Sequence, residues 1–345
     1  MFERSSRCTV LVHSSPNFLR IARLETEGSN QRRVLAAAEL PPDDPAALSA
    51  WMAQETETGG GWAAGICGFH PAGSILARED ILVRNDTGPT PEALEALVQR
   101  RAVSPSNDGW RIGLIDAVTG GNVPMKSGAH TTLLVAVPQG EASTFQRAML
   151  KQRIRPRQTD FATLPALGAI SRQFKSASGN GAIAVCEFGL RSTTVFYVDR
   201  KGVHPQEPLP FGLYTLEESA HKDLKTDTIE DAQEALNAPD EATRKLLPKL
   251  LRIYARHLRL NLDYFEHQTG RIVGSLFATN LPANRQWLGT ALAHEVDLKC
   301  PPLDVPAWAA DQGLIAEDLP ANGAGWMTTL ALAAELSTPS HAPSD

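Results

Sequence analysis

The sequence predicts an α/β fold made of two related lobes. The chain has 345 residues, and this length suits two lobes of roughly 150 residues each better than one hydrophobic core. Runs with the two-residue alternation of β-strands are interspersed with runs that have helical spacing. A β-rich hairpin pattern also occurs twice, and such a repeat indicates an internal duplication.

The composition favours a soluble globular protein that does not bind nucleic acid. Apolar residues make up 42% and charged residues 21% of the chain, and the formal net charge is -6. Lysine and arginine are scattered and form no basic run, so the chain lacks the electrostatic signature of a DNA- or RNA-binding protein. The four cysteines are far apart and form no CxxC pair, so neither a zinc site nor a redox dithiol is predicted.

We expect a cytoplasmic protein without a direct membrane span. The first residues, Met1 to Cys8, lack the apolar stretch of a secretory signal. The longest apolar runs, such as Leu133 to Val137, are far shorter than the roughly 20 residues that cross a bilayer. Peripheral association with the inner face of the cytoplasmic membrane would therefore go through a partner. The final segment, Ser337 to Asp345, has no apolar face and is predicted to be a disordered tail.

Two predicted hairpins carry the duplication. Residues Thr9 to Leu24 contain a β-rich run, a small polar turn and a second alternating run. The same pattern returns at Ile183 to Val198. The two runs superimpose when His13 is aligned with Glu187, so each lobe is expected to open with a hairpin.

The segment between the hairpins predicts a small α+β unit. Thr90 to Arg101 is predicted to be a helix, because its first residue suits the N-cap and Pro91 suits the first helical position. Strands are predicted at Arg111 to Val118 and Thr131 to Val137, and a further helix from Glu141 to about Lys151.

The second lobe is expected to be rich in helices. The Gly- and Ser-rich stretch Lys175 to Gly181 changes the composition abruptly and is predicted to be a hinge between the lobes. One or two helices are predicted within Thr215 to Leu236. Pro248 to His267 is also predicted to be a helix, whose apolar residues form a core-facing stripe: Leu251, Tyr254, Leu258, Leu262 and Phe265.

Histidines and glycines form no catalytic motif. The sequence has no HExxH or HxH pattern, no GxSxG, no P-loop signature and no catalytic cysteine signature. No motif therefore supports a hydrolase, P-loop or thiol-protease interpretation. Gly59 to Gly61 is predicted to be a loop rather than a phosphate cradle. Solvated or capping roles are expected for eight histidines: His70, His130, His204, His221, His257, His267, His294 and His341.

Four segments carry a resemblance to one protein family. Leu133 to Leu167 is similar to a family region with a strand, a proline, a helix and a second strand. Glu187 to Leu216 is similar to a phosphate hairpin and its glycine-rich return. Leu258 to Gly270 resembles the long helix of that family, and Trp326 to Leu336 resembles its closing helix. Together these segments resemble PilM-type pilus assembly proteins, relatives of actin, of the cell-division protein FtsA and of the cytoplasmic part of GspL.

The resemblance implies an actin-like fold of the ribonuclease H-like class. Residues 1–175 would form lobe one with an inserted α+β subdomain at about 81–149, and residues 176–336 would form lobe two. ATP with magnesium would lie in the cleft, where one hairpin from each lobe surrounds the phosphates. Such a site needs tight turns with free backbone N–H groups and a carboxylate that holds Mg²⁺.

The first hairpin departs from the family pattern at this implied site. His13 stands where the family has aspartate, Ser15 stands where it has glycine, and Pro16 removes a backbone donor. Neutral imidazole is a poor ligand for a hard cation, so metal coordination is expected to be lost here. Arg20 matches the positive position of the family.

The second hairpin keeps more of the pattern. Glu187 replaces the family aspartate, and Gly189 with its neighbours suits a phosphate turn. The resemblance therefore implies a vestigial nucleotide site with these residues: Ser14, Ser15, Asn17, Arg20, Glu187, Gly189, Ser192, Thr193 and Arg259.

The ribose and adenine positions are also altered. His257 stands where the family has a ribose-binding glutamate, although Arg259 follows the pattern. The Gly-Gly turn against the adenine should fall near Phe277 to Asn284, which contains no glycine. Phosphoryl transfer depends on positioning and charge stabilisation, so the resemblance to the family, with these changes, implies a pseudo-ATPase.

The function implied by the resemblance is that of a scaffold for pilus assembly. It would hold the cytoplasmic tail of a PilN-like membrane protein in a lobe-one groove, with Thr131 to Val137 and Phe145 to Leu150 as walls. Self-association is a further possibility. Two alternatives stay open: an active actin-like ATPase or sugar-kinase relative, which the second hairpin favours, and a GspL-like type II secretion component.

Overall fold

The computed structural model describes residues 8–27, 31–55, 61–83, 88–102, 108–123, 126–175, 181–317, 319 and 325–334. The predicted hinge Lys175 to Gly181, the predicted loop Gly59 to Gly61 and the predicted tail Ser337 to Asp345 lie mostly or wholly outside these ranges.

The described strands and helices alternate along the chain in the manner of an α/β fold. The strands are β1 (Cys8–Ser15), β2 (Phe18–Glu27), β3 (Gln31–Leu40), β4 (Ala63–Phe69), β5 (Ile75–Val83), β6 (Trp110–Asp116), β7 (Gly128–Pro138), β8 (Ile154–Phe161), β9 (Ala182–Phe188), β10 (Thr193–Asp199), β11 (Gly202–Pro205), β12 (Val273–Thr279) and β13 (Leu314–Ile315). The helices are α1 (Pro45–Glu55), α2 (Pro91–Arg101), α3 (Gln139–Lys151), α4 (Thr163–Lys175), α5 (Leu213–Leu224), α6 (Ile229–Asn237), α7 (Glu241–Thr269), α8 (Trp287–Glu295), α9 (Val305–Asp311) and α10 (Trp326–Ala334).

The first lobe is built on a six-stranded sheet with the order β13-β3-β2-β1-β4-β8. β1 and β2 form the first predicted hairpin, and only Pro16 and Asn17 connect them. Alternate side chains of a strand point to opposite faces, so Val10 packs towards α1 and α3 while Leu11 packs towards α4 and α10. The sheet is therefore covered by helices on both faces.

The second lobe is built on a four-stranded sheet with the order β11-β10-β9-β12. β9 and β10 form the second predicted hairpin, as the internal duplication predicts. Ala184 and Cys186 face a core made with α5, α7 and α8. Ile183 and Val185 face the other way and join the core that contains α4 and α10 of the first lobe. One continuous core thus connects the two lobes.

A small subdomain projects from the first lobe as a three-stranded sheet with the order β5-β7-β6. α2 packs Val98 against Leu134 and Ala136 of this sheet, and the side chain of Thr90 accepts a hydrogen bond from the Ala93 N–H as the predicted N-cap. β5 was not predicted and begins at Ile75, ahead of the predicted limit at about 81. We therefore propose that the inserted unit spans about 75–138.

The C-terminal elements return to the first lobe. β13 pairs with β3 through Leu314 and Ile315, and α10 packs on α4, β1 and β4. The predicted division at 176–336 had placed these elements in the second lobe. We propose instead that the first lobe comprises the residues up to about 175 together with the segment from β13 onwards.

The long helix α7 has the buried stripe that its sequence predicts, namely Leu251, Tyr254, Leu258, Leu262 and Phe265. It begins seven residues earlier than predicted, at Glu241, because Asp240 caps it by accepting a hydrogen bond from the Thr243 N–H at 2.7 Å. Pro248 lies inside the helix on its exposed side. Within the described ranges, none of the helices has both the length and the apolar character needed to cross a membrane.

Candidate functional site

The two hairpins contact each other directly. The Asn17 Nδ2 atom, at the tip of the first hairpin, donates hydrogen bonds to the carbonyl oxygens of Phe188 and Asn280, both at 2.8 Å. Asn280 adopts a left-handed conformation with φ of 60°, which asparagine tolerates better than most residues. Its own Nδ2 also donates to the Phe188 oxygen at 2.8 Å. We call this contact of Asn17, Phe188 and Asn280 the hairpin junction.

Arg20 adds a second connection between the lobes beside the hairpin junction. Its guanidinium is buried and pairs with Glu39 at 2.8 Å, and it donates to the carbonyl oxygens of Leu281 at 2.6 Å and Gly325 at 2.5 Å. Burial lowers the pKa of Arg20, whereas Glu39 acts in the opposite direction. A Cβ on Gly325 would lie 2.7 Å from the guanidinium, so a glycine is needed for this approach.

His13 and His70 form a buried pair, which the sequence did not predict. Their Nε2 atoms are 3.0 Å apart, and the His13 Nδ1 atom is 2.9 Å from the Thr329 Oγ1 atom. Burial, followed by the charges of His70 and Arg20, holds the pKa of His13 well below its usual value. His13 is therefore neutral at pH 7, and one of the two facing nitrogens carries the proton. The expected solvated or capping role is wrong for His70.

Glu187 extends this pair into the second lobe. The Thr163 hydroxyl lies 2.9 and 2.8 Å from the two Glu187 carboxylate oxygens and donates to this carboxylate. The His70 Nδ1 atom is 3.6 Å from the nearer oxygen. Within the described residues, no group of three or more His, Cys, Asp or Glu side chains is arranged to hold a metal ion. Glu187, which stands where the family has aspartate, is thus engaged by Thr163 and close to His70.

The turn of the second hairpin is covered by helix α5. The Gly189 N–H donates to the Ser192 oxygen at 2.8 Å, and the N–H groups of Leu213 and Tyr214 donate to the oxygens of Gly189 and Leu190. A free helix N-terminus binds anions well, but here the carbonyls of the turn occupy these donors.

The remaining predicted site residues have different environments. The Thr193 hydroxyl donates to the Phe211 oxygen at 2.7 Å, and the Ser15 hydroxyl oxygen accepts the Asn17 N–H at 3.0 Å. Ser192 is exposed at the turn. Arg259 lies on the surface of α7, where it contacts the Glu295 carbonyl and is 3.5 Å from Asp297. The structure thus brings most of the predicted residues together but leaves Arg259 outside the group.

A cavity beside the hairpin junction is too small for a nucleotide. The cavity bordered by Arg20, Asn280 and Leu281 has a volume of about 10 Å³, whereas small-molecule sites occupy roughly 300–1,000 Å³. The Oδ1 atoms of Asn17 and Asn280 are buried without a hydrogen-bond partner among the described residues. These atoms are acceptors, and they would repel the oxygens of a phosphate.

A buried ion pair directly follows Phe277 to Asn284, the segment where the resemblance placed the turn against the adenine. Arg285 is buried there and pairs with buried Glu217 at 2.5 Å. The Arg285 Nε atom donates to the Asn237 Oδ1 atom at 2.9 Å, and the Gln233 amide donates to Glu217 at 2.9 Å. Each charged group therefore has protein partners, as a buried ion pair requires.

A large groove lies on the first lobe between helices α1 and α3, and it adjoins the His13–His70 pair through Ser14 and His70. Its volume is about 520 Å³. Apolar side chains line most of it, and Phe69 and Phe145 stack with ring centroids 4.6 Å apart. We call this surface the α1–α3 groove; its lining residues include Leu19, Leu48, Phe69, Phe145, Ala148, Met149, Asp43, Asp44, Glu141, Ser14 and His70.

The α1–α3 groove agrees in part with the walls predicted from the sequence. The predicted helix Phe145 to Leu150 contributes Phe145, Ala148 and Met149 to its lining. The predicted strand Thr131 to Val137 contributes none of the lining residues, because it forms the middle of the three-stranded sheet. The opposite wall is α1, which the sequence analysis did not predict.

Comparisons with known proteins support the fold. No family model matches the chain, and no curated protein matches it. The structure is similar to a chain of a PilM-PilN type IV pilus biogenesis complex, with a TM-score of 0.69 and 13% identity over 95% of this chain and 98% of that chain. A protein of unknown function from Bacteroides thetaiotaomicron with an actin-like ATPase fold has a TM-score of 0.48 at 9% identity, and covers 96% of this chain and 98% of its own. The cytoplasmic domain of EpsL from Vibrio cholerae has a TM-score of 0.36 at 10% identity over 64% of this chain and 77% of its own.

The predicted fold class is thereby confirmed. The chain has the two-lobed actin-like α/β fold with a small subdomain inserted in the first lobe. At such low identity this similarity concerns the fold, and the function has to be argued from the site.

Proposed function

We propose that this protein is a cytoplasmic scaffold of a type IV pilus, or related secretion, assembly platform. In this role it binds an extended segment from the cytoplasmic tail of a PilN-like membrane protein in the α1–α3 groove. The observation that carries the proposal is the α1–α3 groove, a mostly apolar surface with a volume of about 520 Å³. At the hairpin junction, by contrast, the donors of Asn17 and Arg20 are already bound to carbonyl oxygens.

The α1–α3 groove has the properties of a peptide-binding surface. Its volume is within the range of sites that hold small ligands or a few side chains. The stacked rings of Phe69 and Phe145 supply a rigid apolar surface, and extended peptides are recognised by apolar pockets of this type. The Ser49 hydroxyl and the Gln152 side chain are hydrogen-bonded at 2.5 Å, which ties α1 to the end of α3 and supports a preformed groove.

In this proposal the two hairpins hold the lobes together and do not hydrolyse ATP. Asn17 and Arg20 use their donors on carbonyl oxygens of other segments. His13 is neutral and buried, and neutral imidazole is a poor magnesium ligand. These features disfavour an active ATPase or sugar kinase, since phosphoryl transfer needs bound phosphate and metal.

A binding experiment tests the proposed function. Isothermal titration with the synthetic tail of a PilN-like protein should give measurable binding to the wild-type protein. Ala148→Arg introduces a long side chain at an exposed position that lines the groove and should abolish binding. Leu150→Arg is the matched control, because Leu150 is on the same helix, is 42% exposed and is outside the groove lining.

The outcomes separate the proposal from its main rival. Failure of several such tails to bind the wild-type protein would refute the groove as a docking site. A rise of several degrees in the melting temperature with millimolar Mg-ATP would show nucleotide binding, and would refute the proposed role of the hairpins.

A further inference from the structure

The charges of the α1–α3 groove specify its ligand further, on the premise that the proposed function is correct. We propose that the groove selects a cationic apolar peptide, in which a lysine, an arginine or the free amino terminus adjoins the apolar side chains. The partner tail should therefore carry at least one positive charge within a few residues of its apolar run.

Three carboxylates line the groove, and its lining includes no lysine or arginine. They belong to Asp43, Asp44 and Glu141. None of the three forms an ion pair with another side chain within the described ranges. The negative charge of these carboxylates is thus left for a bound ligand to neutralise.

Two helix N-termini offset only part of this negative charge. α1 begins at Pro45 and α3 begins at Gln139, so both N-termini lie beside the carboxylates. Each contributes about half a positive charge, and three carboxylates with two such ends leave about two negative charges. The imidazole of His70 also lines the groove, and it lies 3.6 Å from the Glu187 carboxylate.

Local contacts fix at least two of the carboxylates in place. The Asp44 Oδ1 atom accepts the N–H groups of Ala46 and Ala47 at 3.0 and 2.9 Å as the cap of α1. Partial burial of Glu141 raises its pKa, although a hydrogen bond from the Ala72 backbone acts in the opposite direction. A partly desolvated carboxylate gains more from a nearby cation than an exposed one does.

The same arrangement disfavours other ligands. An acidic or phosphorylated peptide would place negative charge beside three carboxylates, and like charges at an interface are repulsive. Nucleic acid is disfavoured for the same reason, since its backbone carries a negative charge at every phosphate. A neutral apolar peptide could fill the groove but would leave its charge unbalanced.

The test uses the full-length protein and two versions of one fluorescein-labelled tail peptide. The first peptide is the native N-terminal tail of a PilN-like protein, and the second has glutamine at every lysine and arginine and an acetylated amino terminus. Fluorescence anisotropy should show about tenfold weaker binding of the neutral peptide at low salt. The affinity of the native peptide should fall as the salt concentration rises.

Variants of the groove carboxylates test whether they cause the difference in affinity between the two peptides. The double change Asp43→Asn with Glu141→Gln should remove most of the difference between the two peptides. Glu230→Gln, at an exposed position of α6, is the control and should leave the difference unchanged. Melting curves of all variants establish that they fold.

Each outcome decides the question. Equal, salt-independent binding of both peptides would overturn the charge selectivity and leave the proposed function intact. Binding of neither peptide would overturn both proposals. A functional tail with no positive charge near its apolar run would overturn the charge selectivity as well.

Discussion

Replacement of Asn17 tests the hairpin junction most sharply. Asn17→Ala removes two hydrogen bonds that join the tip of the first hairpin to the oxygens of Phe188 and Asn280. The Phe188 oxygen keeps its hydrogen bond from the Asn280 side chain. The Asn280 oxygen loses the side-chain donor that Asn17 supplied. With about 1 kcal/mol for each lost bond, the free energy of unfolding should fall by about 2 kcal/mol.

The assay is thermal unfolding without ligand. One hydrophobic core includes residues of both lobes, so the lobes should unfold in one transition. For a chain of this size, the melting temperature falls by about 2 °C for each kcal/mol of lost unfolding free energy. The melting temperature of Asn17→Ala should therefore fall by about 4 °C. Asn17→Asp should lower the melting temperature more than Asn17→Ala does, since a carboxylate would face two carbonyl oxygens.

The control is Ser192→Ala, in the exposed turn of the second hairpin, which should change stability by less than about 0.5 kcal/mol. If Asn17 belonged to an open phosphate site, its truncation would leave the ligand-free protein unchanged. A melting temperature of Asn17→Ala less than about 1 °C below that of the wild type, which corresponds to less than about 0.5 kcal/mol, would thus refute the junction.

Three further perturbations test other parts of the structure. Arg285→Met should lower the free energy of unfolding in urea by about 3–5 kcal/mol, because it leaves the buried Glu217 carboxylate unpaired. The double variant Arg285→Met with Glu217→Leu should recover this stability, and an unchanged free energy of unfolding in the single variant would contradict the prediction. Gly212→Ala should cost about 2 kcal/mol or more, since its Cβ would lie 2.4 Å from the Leu190 carbonyl, whereas Gly113→Ala has open space and is the control. His13 has a lowered pKa in the folded state, so below about pH 6.5 the unfolded chain binds a proton at this residue that the folded chain does not bind. The free energy of unfolding should therefore be constant above this pH, and should fall below it by at most about 1.4 kcal/mol per pH unit. His13→Gln should lessen this fall, and parallel stability curves for the two proteins would rule the effect out.

The parts of the fold with a strong local pattern could be predicted from the sequence. The hairpin β1–β2 and its repeat β9–β10 have clear alternation, and the α7 stripe has helical spacing over five buried residues. β13 is only two residues long, and its place in the first lobe depends on pairing with β3. No local pattern specifies such a pairing, so the sequence alone could not indicate that β13 lies beside β3.

The candidate site was harder to predict because its contacts join distant residues. Asn17 is separated by 171 residues from Phe188 and by 263 residues from Asn280, and His13 by 57 residues from His70. The α1–α3 groove combines β1, β2, α1, the end of β4 and α3. One available signal was overlooked, since Asp44 before Pro45 is the usual start of a helix and would have indicated the missing wall.

Amide hydrogen exchange in the presence of the PilN-like tail tests the central claim most directly. The claim is that the α1–α3 groove, and not the cleft between the hairpins, is the functional surface. Saturating tail peptide should slow exchange in α1 and α3 and leave the hairpin β9–β10, which contributes no residue to the groove lining, unchanged. Slowed exchange confined to the two hairpins, with α1 and α3 unaffected, would contradict the account.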